Sequence, residues 1–167
     1  MGLFSPPDVD KLSAQGSIEA LIRAAKHRDP QVAAKASAAL AEMADFCINE
    51  LSTKNIRRLA IVREALVLAG EPAVDAMIFV HTDRQSLHRR QDVTFVLGEA
   101  GHPKAVPVLI DALRDTDPLL RKLAAEALGK IGDPRAARPL HLAAVNDDNA
   151  QVRKAARKAY DRIKAKA

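Results

Sequence analysis

Apolar residues recur along this chain at i−4, i and i+3 around a series of leucines, a spacing that gathers side chains on one face of an α-helix. Three of these anchors, Leu66, Leu97 and Leu128, stand 31 residues apart, and Tyr160 takes the place in a fourth copy that needs one extra residue. Val62, Val93, Ala124 and Ala156 stand four before the anchors, and Ala69, Ala100, Ile131 and Ile163 three after. A glycine follows in three copies (Gly70, Gly101, Gly132), then a proline (Pro72, Pro103, Pro134). Glycine past a helix end and proline opening the next helix are stop and start signals.

Each unit therefore reads as a helix pair. A first helix (A) follows the proline and a second (B) carries the anchor. The predicted order is a short helix near Val9–Ala14, then A1 over 17–27 with Ser17 as N-cap, and B1 opening at Asp29-Pro30 with anchor Leu40. A short, irregular A2 is expected within 44–53, because Leu40 and Leu66 are five residues closer than the period. B2 (54–69), A3 (72–81), B3 (84–100), A4 (103–114), B4 (118–130), A5 (134–145) and B5 (149–164) complete the series. No segment alternates convincingly with period 2, so no strand is predicted.

A lone helix pair cannot bury its apolar face, whereas stacked pairs share a continuous core. The predicted fold is all-α, a right-handed αα-superhelix (solenoid) of about five hairpins, with A helices convex and B helices concave. Residues 1–16, with Leu3, Phe4 and Pro6-Pro7, are expected to form an N-terminal cap segment on a repeat domain over 17–167.

Composition fits this reading. The 167 residues are 48% apolar but only 3% aromatic, without tryptophan, so the core must be built of Ala, Leu, Val and Ile. The formal charge of +5 is concentrated at one end. Residues 150–167 hold seven basic side chains against Asp161 alone, and the first 149 residues balance 19 basic against 20 acidic. A global nucleic-acid surface is therefore not indicated. Cys47 is the single cysteine, which excludes an intrachain disulfide. No apolar run reaches a membrane span, and the opening MGLFSPP lacks the regions of a signal peptide. The expected compartment is the cytoplasm.

The units AVPVLIDALRDTDPLLRKLAAEALGKIGDPRA and ARPLHLAAVNDDNAQVRKAARKAYDRI resemble HEAT-like repeats, in the short form found in bilin lyase subunits and many bacterial scaffold proteins. The resemblance covers most of residues 17–163 and is fullest in the last two repeats. It implies a solenoid, and solenoids of this kind host many tasks. It also implies that the Arg90, Arg121 and Arg153 column, with Asp117 and Asp148, caps helix ends and ties neighbouring repeats. The alternative reading of that column is a row that binds acids.

HEAT-repeat hydroxylases that modify a lysine side chain carry His-Glu pairs early in their B helices, which hold two irons. The matching positions here are Gln91-Asp92 and Lys122-Leu123, so no metal or other cofactor is expected. The five histidines show no ligand spacing, Cys47 has no histidine near it in sequence, and nucleotide-binding glycine motifs are absent.

What remains is the polar face of the B helices: Gln91, Phe95 and Glu99 on B3, Lys122, Glu126 and Lys130 on B4, and Lys154, Lys158 and Arg162 on B5. The expectation is a non-catalytic scaffold, not an enzyme, that binds a protein partner along these nine residues. Nucleic-acid contact through the basic last helix and a bilin lyase-type subunit are the alternatives.

Overall fold

The computed structural model describes residues 6–83 and 86–166. Among these residues the chain is helical with no strand, and the helices follow the predicted order. They are α1 (Val9–Ala14), α2 (Ile18–Ala25), α3 (Pro30–Glu42), α4 (Ala44–Glu50), α5 (Ile56–Leu68), α6 (Glu71–Thr82), α7 (Leu87–Ala100), α8 (Val106–Ala112), α9 (Pro118–Ile131), α10 (Ala137–Asn146) and α11 (Ala150–Lys164). In chain order α2/α3, α4/α5, α6/α7, α8/α9 and α10/α11 are the five A/B pairs. This is the predicted class, an all-α superhelix of HEAT-like hairpins. The expected cap residues Leu3 and Phe4 lie outside the described residues, as does Arg84 at the expected start of B3.

Local chemistry explains most helix ends. Asp29 caps α3 by accepting from the Gln31 N–H, Asn55 caps α5, and Asp117 caps α9 by accepting from the Leu120 N–H at 2.6 Å. Ser17 stands at the N-cap of α2 but its side chain makes no capping bond, a correction to the sequence reading. Gly101 and Gly132 close α7 and α9 at φ 68° and 77°, the left-handed conformation their place after the helix implied. A4 and A5 depart from prediction: each begins with a 3-10 turn, Pro103–Ala105 and Pro134–Ala136, before the α-helix sets in. His102 and Asp133 cap these turns through backbone N–H groups two residues on.

The chain divides into two compact units, 1–76 and 77–167, a division the sequence did not suggest. In the first, α2 packs on α3 and α5, and α4 packs on α5, around Leu21, Leu40, Ile48, Leu51 and Leu66, all essentially without exposure. Its anchors Leu40 and Leu66 are thus core residues, as the pattern required.

In the second unit, α9 packs between α7 and α11, and α8 and α10 return against α9 and α11. Leu97, Leu109, Leu120, Leu128, Leu140 and Ile163 form the core. The B helices approach closely because one side of each contact is glycine. A Cβ on Gly98 would lie 2.7 Å from the Cβ of Ala127, and one on Gly129 the same distance from the Cβ of Ala159. Gly98 and Gly129 each directly follow an anchor, and Ala127 and Ala159 directly precede the next one. The repeat period therefore sets one glycine against one alanine at each step.

Candidate functional site

The arginine column is structural. Arg90 donates to the His81 carbonyl at 3.0 Å and to Asp115 Oδ2 at 2.7 Å, with both side chains of that ion pair about nine-tenths buried. Arg121 grips Asp147 through two bonds of 2.8 and 2.9 Å and adds a bond to Asp148. It also donates to the carbonyl of Asp115 at 2.9 Å. Arg153 donates to the carbonyls of Asp147 and Asp148 at 2.8 and 3.0 Å.

Two details correct the sequence reading. The carboxylates that hydrogen-bond Arg121 come from the next repeat rather than from Asp117 at the head of its own helix. The N-cap of α11 is Asn149, which accepts from Gln151 and Val152, so Asp148 is free to bond Arg121. Burial pushes the Asp147 carboxyl up. The Arg121 guanidinium and the Asn149 N–H outweigh it and hold the group below its ordinary range. Hydrogen bonding to Asp147 chiefly raises Arg121 in turn.

The nine predicted binding residues all lie in the second unit, on α7, α9 and α11, and several meet across repeats. Lys130 pairs with Glu99, 31 residues earlier, and its Nζ stands 4.9 Å from the Phe95 ring centroid. Lys122 and Glu126 pair along α9 at 3.7 Å. Gln91 donates to Asp117 Oδ1 at 3.3 Å, which ties α7 to the head of α9. Glu126, Lys130, Lys158 and Arg162 surround a cavity of ≈ 200 Å³ whose floor is Gly129, Ala155 and Ala159. Lys154 stands exposed one turn before Lys158, outside that cavity.

The floor residues were not singled out from sequence. A signal was present for two of them, since Gly129 and Ala159 each stand beside an anchor. It reads only as packing until the neighbouring helix is in place.

A second cavity, ≈ 470 Å³, is lined by His81, Arg90, Arg114, Asp115 and others. Its Arg90 and Asp115 are committed to each other. His81 is 2% exposed and its Nε2 has no hydrogen-bond partner. Burial, with the charge of Arg90, lowers the imidazole to about 4, so it is neutral at pH 7. Cys47 is fully buried, and burial pushes its thiol up to about 11, against the attraction of Arg58. A thiol so placed is a poor nucleophile.

The two-iron group of HEAT-repeat hydroxylases does not fit the residues present. Gln91 is engaged with Asp117, Lys122 is a cation paired with Glu126, and Leu123 has no donor atom. Among the described residues no three His, Cys, Asp or Glu side chains gather in a metal-holding group. No single helix among them is long and apolar enough to cross a membrane.

Comparison with known proteins agrees with the fold. Residues 80–161 match the family model for HEAT repeats. The chain is 40% identical over 67 residues to the deoxyhypusine hydroxylase of Bos taurus, covering 39% of this chain and 22% of that protein. It is 35% identical over 92 residues to that of Chaetomium globosum, covering 54% and 26%. The aligned segments thus span about a quarter of the relatives' lengths.

Among solved structures, human deoxyhypusine hydroxylase in complex with glycerol superposes with a TM-score of 0.59 at 24% identity, over 94% of this chain and 66% of that one. An engineered protein gives 0.50 at 17% identity, over 94% and 83%. These structural likenesses show the fold.

The relatives are named as enzymes. That overturns the expectation of a non-catalytic scaffold and of a chain that is not an enzyme, and the named relatives are hydroxylases rather than bilin lyases. The physical reason for the error is that the repeat pattern encodes helix packing, which is alike whether or not a repeat carries chemistry.

Proposed function

We propose that this chain works as part of a protein-modifying enzyme of the kind that deoxyhypusine hydroxylase represents, with the B-helix face of its second unit against the substrate protein. The likeness to the hydroxylases carries this reading. The face is the natural place for the substrate because Glu99, Glu126, Lys130, Lys154, Lys158 and Arg162 are exposed there, beside the half-buried Gln91, Phe95 and Lys122. It is held on rigid helices, which lowers the entropy lost on binding. The cations of α11, Lys154, Lys158 and Arg162, are offered to acidic residues of that protein. No oxidative step is routed through Gln91-Asp92 or Lys122-Leu123, whose side chains do not suit iron. The reading keeps the cytoplasm as the compartment, in line with a single, buried, unpaired Cys47.

Calorimetric titration tests it. A substrate protein carrying deoxyhypusine, and the same protein with unmodified lysine, are titrated into the purified chain. Saturable binding that is tighter for the deoxyhypusine form supports the reading. Equal binding of the two forms, or none, overturns it.

A further inference from the structure

We propose that the cavity between α9 and α11 is a carboxylate-binding site and that the stripe Lys154–Lys158–Arg162 takes an extended peptide with acidic residues at alternate positions. The proposal rests on the reading of the B-helix face as a protein-binding surface, and it names the chemistry of the segment bound there.

The first observation is how charge is distributed around the ≈ 200 Å³ cavity. Glu126 is committed to Lys122, and Lys130 to Glu99. Lys158 and Arg162 have no ion pair among the described residues, and both are exposed. Lys154, one turn earlier on α11, is in the same state. The corresponding stripe of α9 alternates as Lys122, Glu126 and Lys130, and its cations are answered by Glu126 and by Glu99 on α7. The stripe of α11 is cationic throughout, an i, i+4 arrangement that repels itself until an anion arrives.

The second observation is shape. The floor is Gly129, Ala155 and Ala159, none of which carries a side chain longer than a methyl group. The space above accepts the methylenes of an Asp or Glu side chain, with its carboxylate between Lys158 and the fork of Arg162.

The third is spacing. Residues four apart on a helix are about 6 Å apart along its axis. Alternate residues of an extended chain are about 6.6 Å apart and point to the same side. Acids at every second position of a bound strand therefore meet Lys154, Lys158 and Arg162 in turn. A nucleic acid fits less well. The Glu126 carboxylate stands on the cavity wall, and the Phe95 ring, the aromatic group on this face, lies beneath Lys130.

Fluorescence polarisation tests the proposal with a labelled peptide in which Glu alternates with Gly, against a Lys/Gly peptide of equal length. The full chain is expected to bind the Glu peptide saturably, more weakly as salt rises, and to ignore the Lys peptide. The K158E/R162E variant is expected to lose at least tenfold in affinity. The R157E/K164E variant, which makes the same charge change on another side of α11, is expected to stay within about twofold. Circular dichroism confirms that both variants fold.

Equal losses in the two variants would mean general attraction to a basic helix and would overturn the site. So would displacement of the peptide by duplex DNA at lower concentration, or a dimer in solution that K158E/R162E dissociates. Binding left intact in K158E/R162E overturns the cavity while leaving the face standing. Failure of the face itself appears separately, as no binding of the deoxyhypusine-bearing protein.

Discussion

A Cβ placed on Gly129 would stand 2.7 Å from the Cβ of Ala159 and 2.9 Å from its Cα, so α9 and α11 approach too closely to admit a side chain at position 129. Gly129→Ala must push the helices apart. Overpacking of this kind costs about 1–3 kcal/mol, against a helix-propensity gain of about 1 kcal/mol for replacing glycine. The net expectation is a loss of about 1 kcal/mol, seen as a lower urea midpoint at unchanged m-value. A midpoint at or above wild type would show that the repeats are free to separate.

Arg121 is the most heavily bonded link between repeats. Its side chain and that of Asp147 are 11% and 6% exposed. Arg121→Ala leaves the Asp147 carboxylate buried without its cation, a change worth about 3–5 kcal/mol. Arg121→Lys keeps the charge but not the two-bond fork, and should fall between Ala and wild type in thermal unfolding.

The same pair sets a pH dependence. The folded pKa of Asp147 is depressed below its ordinary 3.8. Its contribution is therefore fully present above about pH 4 and lost as pH falls through the folded value. Denaturant unfolding at stepped pH should show this acid limb in wild type and a shallower one in Arg121→Ala.

His81 acts in a higher window. Its pKa falls from 6.5 to about 4 on folding, because burial disfavours the imidazolium and Arg90 repels it. The unfolded chain takes up the proton first as pH drops. Stability is thus whole above pH 6.5 and declines towards pH 4, by about 3 kcal/mol at the lower end. His81→Leu removes the titrating group and the unpartnered Nε2, and should flatten the profile between these limits.

Cys47 should resist modification. With its thiol pushed up to about 11 and no exposure, it is expected to react with a thiol reagent only as fast as the protein opens. Modification in native buffer as rapid as in denaturant would contradict the burial described above.

Reversal of Lys122, Lys154 and Lys158 to Glu changes exposed or half-exposed groups, for which stability effects are about 0–1 kcal/mol each. The triple variant should keep a cooperative melt near wild type and capture an acidic protein ligand poorly. Capture at wild-type strength would remove this face from the proposed function.

Much of the molecule is legible in its sequence, for a physical reason. Helix periodicity, the Gly101 and Gly132 stops and the Asp29, Asn55 and Asp117 caps act over a few residues, so they determine each helix wherever it lies. The anchors Leu66, Leu97 and Leu128 are buried because a period of 31 residues brings equivalent faces back to equivalent places, and Leu40 is buried at the matching position of the shorter first step. Which charges neutralise one another could not be read in this way. Glu99 and Lys130, or Arg121 and Asp147, are 26 to 31 residues apart and meet only when one repeat is packed on the next. That packing shows the arginines committed to loops and leaves Lys158 and Arg162 without counter-charge over a floor of glycine and alanine. The sequence by itself determined the helices and the faces they bury. Tertiary structure alone decided which polar residues are spent on holding repeats together and which are left to meet another molecule.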